Sequence, residues 1–60
     1  MSEREKTYKA EYNDGEFEIF GCFGNDDEAM REALDYEEEH GALLDVSELD
    51  ENYNAIRRVF

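Results

Sequence analysis

The 60-residue sequence predicts an α+β fold of ββαββ order: a four-stranded, mainly antiparallel sheet with one helix packed on one face. Three observations predict it. "TYKAEY" alternates, with Tyr8, Ala10 and Tyr12 on one side and Lys9 and Glu11 on the other, which is the period of a strand. "NDG", Asn13 to Gly15, is a hairpin turn, because Asn, Asp and Gly tolerate positive φ. "NDDEAMREALDYEEEHG" holds a capping residue, an apolar stripe at helical spacing and a closing glycine.

In chain order, the first strand is expected over 6–12 and the second over 16–23. Along the second, Phe17, Ile19 and Phe23 share one face, and Glu18, Phe20 and Cys22 share the other. Gly24 breaks it. Asn25 is placed to cap a helix over 26–39, and Glu28 three positions later completes a capping-box-like pattern. Asp26 and Asp27 suit the positive end of that helix. Ala29, Met30, Ala33, Leu34 and Tyr36 form its core stripe, and Gly41 is the expected residue just past its end, with His40 beside it. "ALLDVSEL" then predicts a strand over 42–49 with Leu44 and Val46 at alternate positions. "DENYN" turns, and "AIRRVF" predicts the last strand over 54–60. Leu43, Leu49, Ile56, Val59 and Phe60 cannot all face one way, so a bulge is expected near Ser47–Glu48. One helix covers one sheet face, which leaves Phe20, Cys22 and one of Leu43 or Leu49 on the open face. With no repeat and no linker, residues 1–60 read as one small domain.

Composition narrows the function. Eighteen Asp and Glu against six Lys and Arg give a net charge of −12. Such a chain is not expected to bind nucleic acid or an anionic membrane directly, because phosphate binding needs Lys and Arg to displace counterions. Its complements are basic protein surfaces. A chain this short buries only about 60% of its unfolded surface, enough for a helix on a sheet but not for a deep cleft. One cysteine, Cys22, precludes an internal disulfide. The start, "MSEREKTYKAEY", lacks the apolar run of a signal peptide, and no segment approaches the 18 or so apolar residues of a membrane span. A cytoplasmic protein is the expectation.

Catalytic and metal patterns are thin. Cys22 and His40 are the one nucleophile–base pair, without a third member or a Gly-rich oxyanion loop, so no enzyme is expected. Glu37-x-x-His40 matches half of a di-metal carboxylate motif, which needs two such pairs and two further Glu. Asp50, Asn52 and Asn54 begin like a calcium loop, but Ala55 stands where that loop needs Gly. Neither a metal nor a cofactor is expected. Arg57 and Arg58 read as intramolecular partners for carboxylates.

The acid itself is the candidate site. Asp26 to Glu39 carries eight carboxylates and one base, Arg31. Seven net charges over a helix about 21 Å long is one per roughly 3 Å, close to the about 3.4 Å per phosphate of a DNA strand. Spread evenly, −12 on a surface of about 4,100 Å² is only one charge per roughly 340 Å², so concentration on one helix is what matters. Glu28/Glu32 and Asp35/Glu39 are like-charge pairs at i,i+4, and Glu37 to Glu39 crowd the expected C-terminal end, all locally unfavourable. Such a sacrifice points either to solubility or to a binding surface. The expected partner-binding residues are Glu28, Glu32, Asp35, Glu38 and Glu39, with Phe20 as an apolar contact. They suit a basic, nucleic-acid-binding protein. A different class, a structural or regulatory module that forms a homodimer or pairs with a partner through the open sheet, with acidity serving solubility, stands beside this reading.

"NDGEFEIF" as turn and strand, "NDDEAMREALDYEEEHG" as an acidic helix and "SELDENYNAIRRVF" as a terminal hairpin together resemble the small acidic proteins of phages and mobile elements. Anti-restriction and anti-CRISPR inhibitors are among these. The resemblance implies inhibition of a host defence nuclease, or another nucleic-acid-binding protein, inside a bacterial cytoplasm by occupying its basic groove.

Overall fold

A computed structural model describes residues 5–60. β1 (Lys6–Tyr12), β2 (Phe17–Cys22), α1 (Asp26–Asp35), α2 (Glu37–His40), β3 (Leu43–Leu49) and β4 (Ala55–Arg58) follow in that order. The strands form one antiparallel sheet ordered β2-β1-β3-β4, the α+β arrangement expected. β1 is central because its partners arrive from both sides: β2 through the tight turn, and β3 after the helix has crossed the sheet.

The first turn sets the register. Gly15 N–H donates to the Tyr12 carbonyl at 3.1 Å, and Tyr12 N–H donates to the Glu16 carbonyl at 3.0 Å. Gly15 has φ 86°, which only glycine adopts without strain. From that closure Ala10 faces Glu18, Tyr8 faces Phe20 and Lys6 faces Cys22. Residues facing each other across a ladder share a sheet face, so Phe20 joins the face of Tyr8, Ala10 and Tyr12.

That face is the core. Tyr8, Ala10, Tyr12, Phe20, Ala29, Ala33, Leu43 and Val46 form one buried cluster, with Cys22, Met30, Tyr36 and Val59 packed against it. Ala29 and Ala33 carry only a methyl group, so α1 comes down close over the tyrosine rings. Tyr12 Oη donates to the Ala33 carbonyl at 2.6 Å and Tyr8 Oη to Asp26 Oδ1 at 3.2 Å, so neither phenol is buried unpaired. Burial pushes both phenols up to about 12.

The outer face therefore differs from expectation. Phe20 and Cys22 lie beneath the helix, while Phe17 (52% exposed) and Ile19 (45%) face outward. Leu43 is in the core, and Leu49 is buried outside that cluster. Leu44 was expected to share the face of Val46. The β1–β3 register shifts between Glu11 and Tyr12, which puts Leu43 inside and leaves Leu44 exposed. The bulge expected near Ser47–Glu48 falls between Glu48 and Leu49. β4 is shorter than the expected strand, yet Val59 N–H and Phe60 N–H both still donate to the Val46 carbonyl.

The helix starts as expected: Asn25 is extended, and its Oδ1 accepts from Glu28 N–H at 3.1 Å. It does not run unbroken to residue 39. Tyr36 N–H reaches the Ala33 carbonyl at 3.3 Å, a tighter turn, and α2 begins after it. Leu34, expected in the core stripe, is 46% exposed because Ala29, Ala33, Met30 and Tyr36 fill the contact instead.

Candidate functional site

The break at Tyr36 changes the meaning of the Glu37–Glu39 run. These residues form the first turn of the four-residue α2 rather than a long helix's last turn. Glu37 turns inward, accepting the Leu43 backbone N–H at 2.6 Å and holding the start of β3. Glu38 and Glu39 remain exposed.

Other helical carboxylates divide in the same way. Asp26 accepts two bonds from the Arg57 guanidinium, both 2.8 Å. That partner, ahead of the Tyr8 hydroxyl, brings its carboxyl down to about 2. The same guanidinium holds Glu48 at 2.7 Å, so Arg57 is the intramolecular partner expected, joining α1, β3 and β4. The nearest polar contact of Arg58 is to the Phe60 carbonyl at 3.0 Å. Glu28, Glu32 and Asp35 enter no ion pair among the described residues, and all are exposed. At i, i+4 and i+7 they line one side of α1 over about 10 Å. Glu32 accepts only the Tyr36 hydroxyl, at 3.3 Å. Phe20, the sixth expected contact, is buried against Tyr8 with ring centroids 5.9 Å apart, so it supports the helix and presents no surface.

At the far end His40 is a node that sequence reasoning did not anticipate. Its Nδ1 lies 2.8 Å from Asp14 Oδ2, its Nε2 lies 2.7 Å from Glu18 Oε2, and its ring stacks on Tyr12 with centroids 4.9 Å apart. Hydrogen bonds to Glu18 and Asp14 raise the imidazole above its ordinary 6.5. Partial desolvation raises the Asp14 carboxyl, but the Glu16 amide and His40 lower it further, below 3.8. Glu18, Glu39 and His40 bring one ligand atom each within 4.8 Å of one another. Both ring nitrogens already face carboxylates, those of Asp14 and Glu18, so the group reads as an ion-paired clasp. Glu37, the partner implied by Glu-x-x-His spacing, is committed to Leu43 instead.

His40 and Cys22 do not meet. Glu18, which His40 contacts, lies four residues along β2 from Cys22, or about 13 Å. The segment that starts like a calcium loop is a hairpin turn: Asp50 Oδ1 accepts from Asn52 N–H at 2.8 Å and Asn54 N–H at 2.9 Å. No helix among the described residues is long and apolar enough to cross a membrane.

The tool available to this surface is thus charge: a row of carboxylates on one side of α1 that enter no ion pair among the described residues, with Arg31 the base in their midst. No family model, curated protein or solved structure matches the chain.

Proposed function

We propose that the chain is an acidic, non-enzymatic binding protein that inhibits a nucleic-acid-binding protein, such as a defence nuclease, by occupying its basic surface. One observation carries the reading. Asp26 and Glu37 are consumed in holding the fold, whereas Glu28, Glu32, Asp35, Glu38 and Glu39 stay exposed without an ion-pair partner among the described residues. These are the groups that take the place of phosphates. Association driven by such a row is fast and weakens steeply with salt.

The test compares the chain with a variant reversed at three of these positions, Glu32→Lys, Asp35→Lys and Glu39→Lys. Both are immobilised, exposed to a bacterial lysate and eluted with a salt gradient. The expected result is a nucleic-acid-binding protein held by the chain and absent from the variant, with affinity lower by about a thousandfold or more. Once purified, that protein should lose its nucleic acid when the chain is added. Equal retention by chain and variant, with far-UV circular dichroism unchanged, would sink the proposal.

A further inference from the structure

The two edges of the sheet are unequally protected. β4 is a four-residue edge carrying Arg57 and Arg58, with a register shift beside it, the features that keep edges from pairing. β2 is longer, has no Lys, Arg or Pro and no register shift against β1, and exposes Phe17 and Ile19, with exposed Phe23 just beyond.

The direction of its unpaired backbone groups follows from the first turn. Tyr12 N–H bonds to the Glu16 carbonyl, so the hydrogen-bonded pairs between β1 and β2 are Ala10–Glu18, Tyr8–Phe20 and Lys6–Cys22. The N–H and C=O groups of Phe17, Ile19 and Gly21 therefore point away from β1, toward the open edge.

We propose that β2 pairs antiparallel with β2 of a second copy of this chain, about a two-fold axis at Ile19, joining two sheets into one. In this register Ile19 faces Ile19 of the second copy, and Phe17 faces its Gly21, each pair exchanging two main-chain bonds. Phe17 falls beside a residue with no side chain of its own, an arrangement that stabilises glycines in sheets. On the helix side Glu18 falls opposite Phe20, so no carboxylate faces a carboxylate directly. Charge also fits. Lys9 Nζ sits over the Phe17 ring, 4.7 Å from its centroid, and the Glu5 carboxylate lies over Gly21. Setting Phe17 beside Gly21 of the second copy brings Lys9 of one chain to Glu5 of the other, twice by symmetry. Each copy carries −12, so pairing strengthens as salt screens the repulsion. Binding through the helix face responds to salt in the opposite sense, and the pairing stands whether or not that face holds a basic groove.

Sedimentation equilibrium of the full chain, from low to high micromolar, tests the pairing. The expected mass rises with concentration from 7.1 kDa toward twice that value. Ile19→Lys sets like charges on the axis at an exposed position, and is expected to stay at 7.1 kDa with unchanged circular dichroism. Lys9→Glu should weaken association about two- to tenfold, and adding Glu5→Lys should restore it. A chain that keeps the monomer mass throughout overturns the proposal, as does an Ile19→Lys variant that still pairs. Failure of Glu5→Lys to restore association overturns the register.

Discussion

The two ends of the helical segment are tied to the sheet by the same device built from different cations. At the start of α1, Arg57 lies between Asp26 and Glu48; at the end of α2, His40 lies between Asp14 and Glu18. One cation between two carboxylates docks each end on opposite sides of the sheet, so the helix is anchored across all the strands. The difference lies in titration. Guanidinium stays charged at every ordinary pH, whereas imidazole changes charge near neutrality. The first clasp is permanent and the second conditional.

The largest expected effect comes from removing the support beneath the conditional clasp. Tyr12 stacks under His40 and is almost fully buried, so Tyr12→Ala should cost about 3–5 kcal/mol. A domain of this size has only about 3–9 kcal/mol in total, so chemical denaturation should find the variant largely unfolded. Tyr12→Phe keeps the ring and loses the bond to Ala33, at about 0.5–1.5 kcal/mol. Equal losses for the two would mean that the stacking contributes nothing.

Next comes the permanent clasp. Arg57→Gln should lower Tm by the same amount on either side of the imidazole value of 6.5, because neither Arg57 nor Asp26 titrates there. Asp26, brought down to about 2, contributes fully above its ordinary 3.8 and fades only as pH falls through about 2. A pH-dependent loss near neutrality would break the contrast between the ends.

His40→Gln should show the opposite pattern. The folded imidazole is raised above 6.5, so its charged form stabilises the fold. That contribution is complete below the unfolded value and is lost as pH rises through the folded one. Hence Tm should fall in the variant at mildly acidic pH and hardly change on the alkaline side. Proton NMR of the ring should titrate with a midpoint above 6.5. A midpoint at or below that value would remove the clasp.

The smallest effect concerns the turns that feed the two clasps. Asp14 comes from a turn closed by Gly15 at φ 86°, but the turn before Arg57 places Tyr53 at φ 65°, where a side chain is strained. Tyr53 is largely exposed, so Tyr53→Asn should gain up to about 1 kcal/mol, read as a higher denaturation midpoint. No gain would mean that the tyrosine ring compensates by packing.

Much of this architecture is legible in the residues. The turn at Asn13–Gly15, the cap at Asn25 and the alternation of β1 are local, encoded by neighbours in the chain, and the strand ends and the start of the helix fall within a residue or two of expectation. Even the burial of Phe20 is implicit: a turn that pairs Tyr12 with Glu16 forces Phe20 opposite Tyr8. Glu28, Glu32 and Asp35 of α1 are exposed where helical spacing puts them. What the chain alone did not reveal was which carboxylates are already spent, since Asp26–Arg57 and Glu18–His40 link residues 31 and 22 positions apart.

Sequence by itself thus determined the elements, their order and the concentration of charge on the helix, because hydrogen bonds, caps and turns act over a few residues. Tertiary structure decided the rest. Strand alternation makes two faces but does not say which is covered; docking α1 through Ala29 and Ala33 chose the face of Tyr8, Ala10 and Tyr12. It left Phe17 and Ile19 outside, turned Glu37 inward and closed His40 between two carboxylates. Those outcomes depend on distances between residues far apart in the chain, and only packing sets those distances.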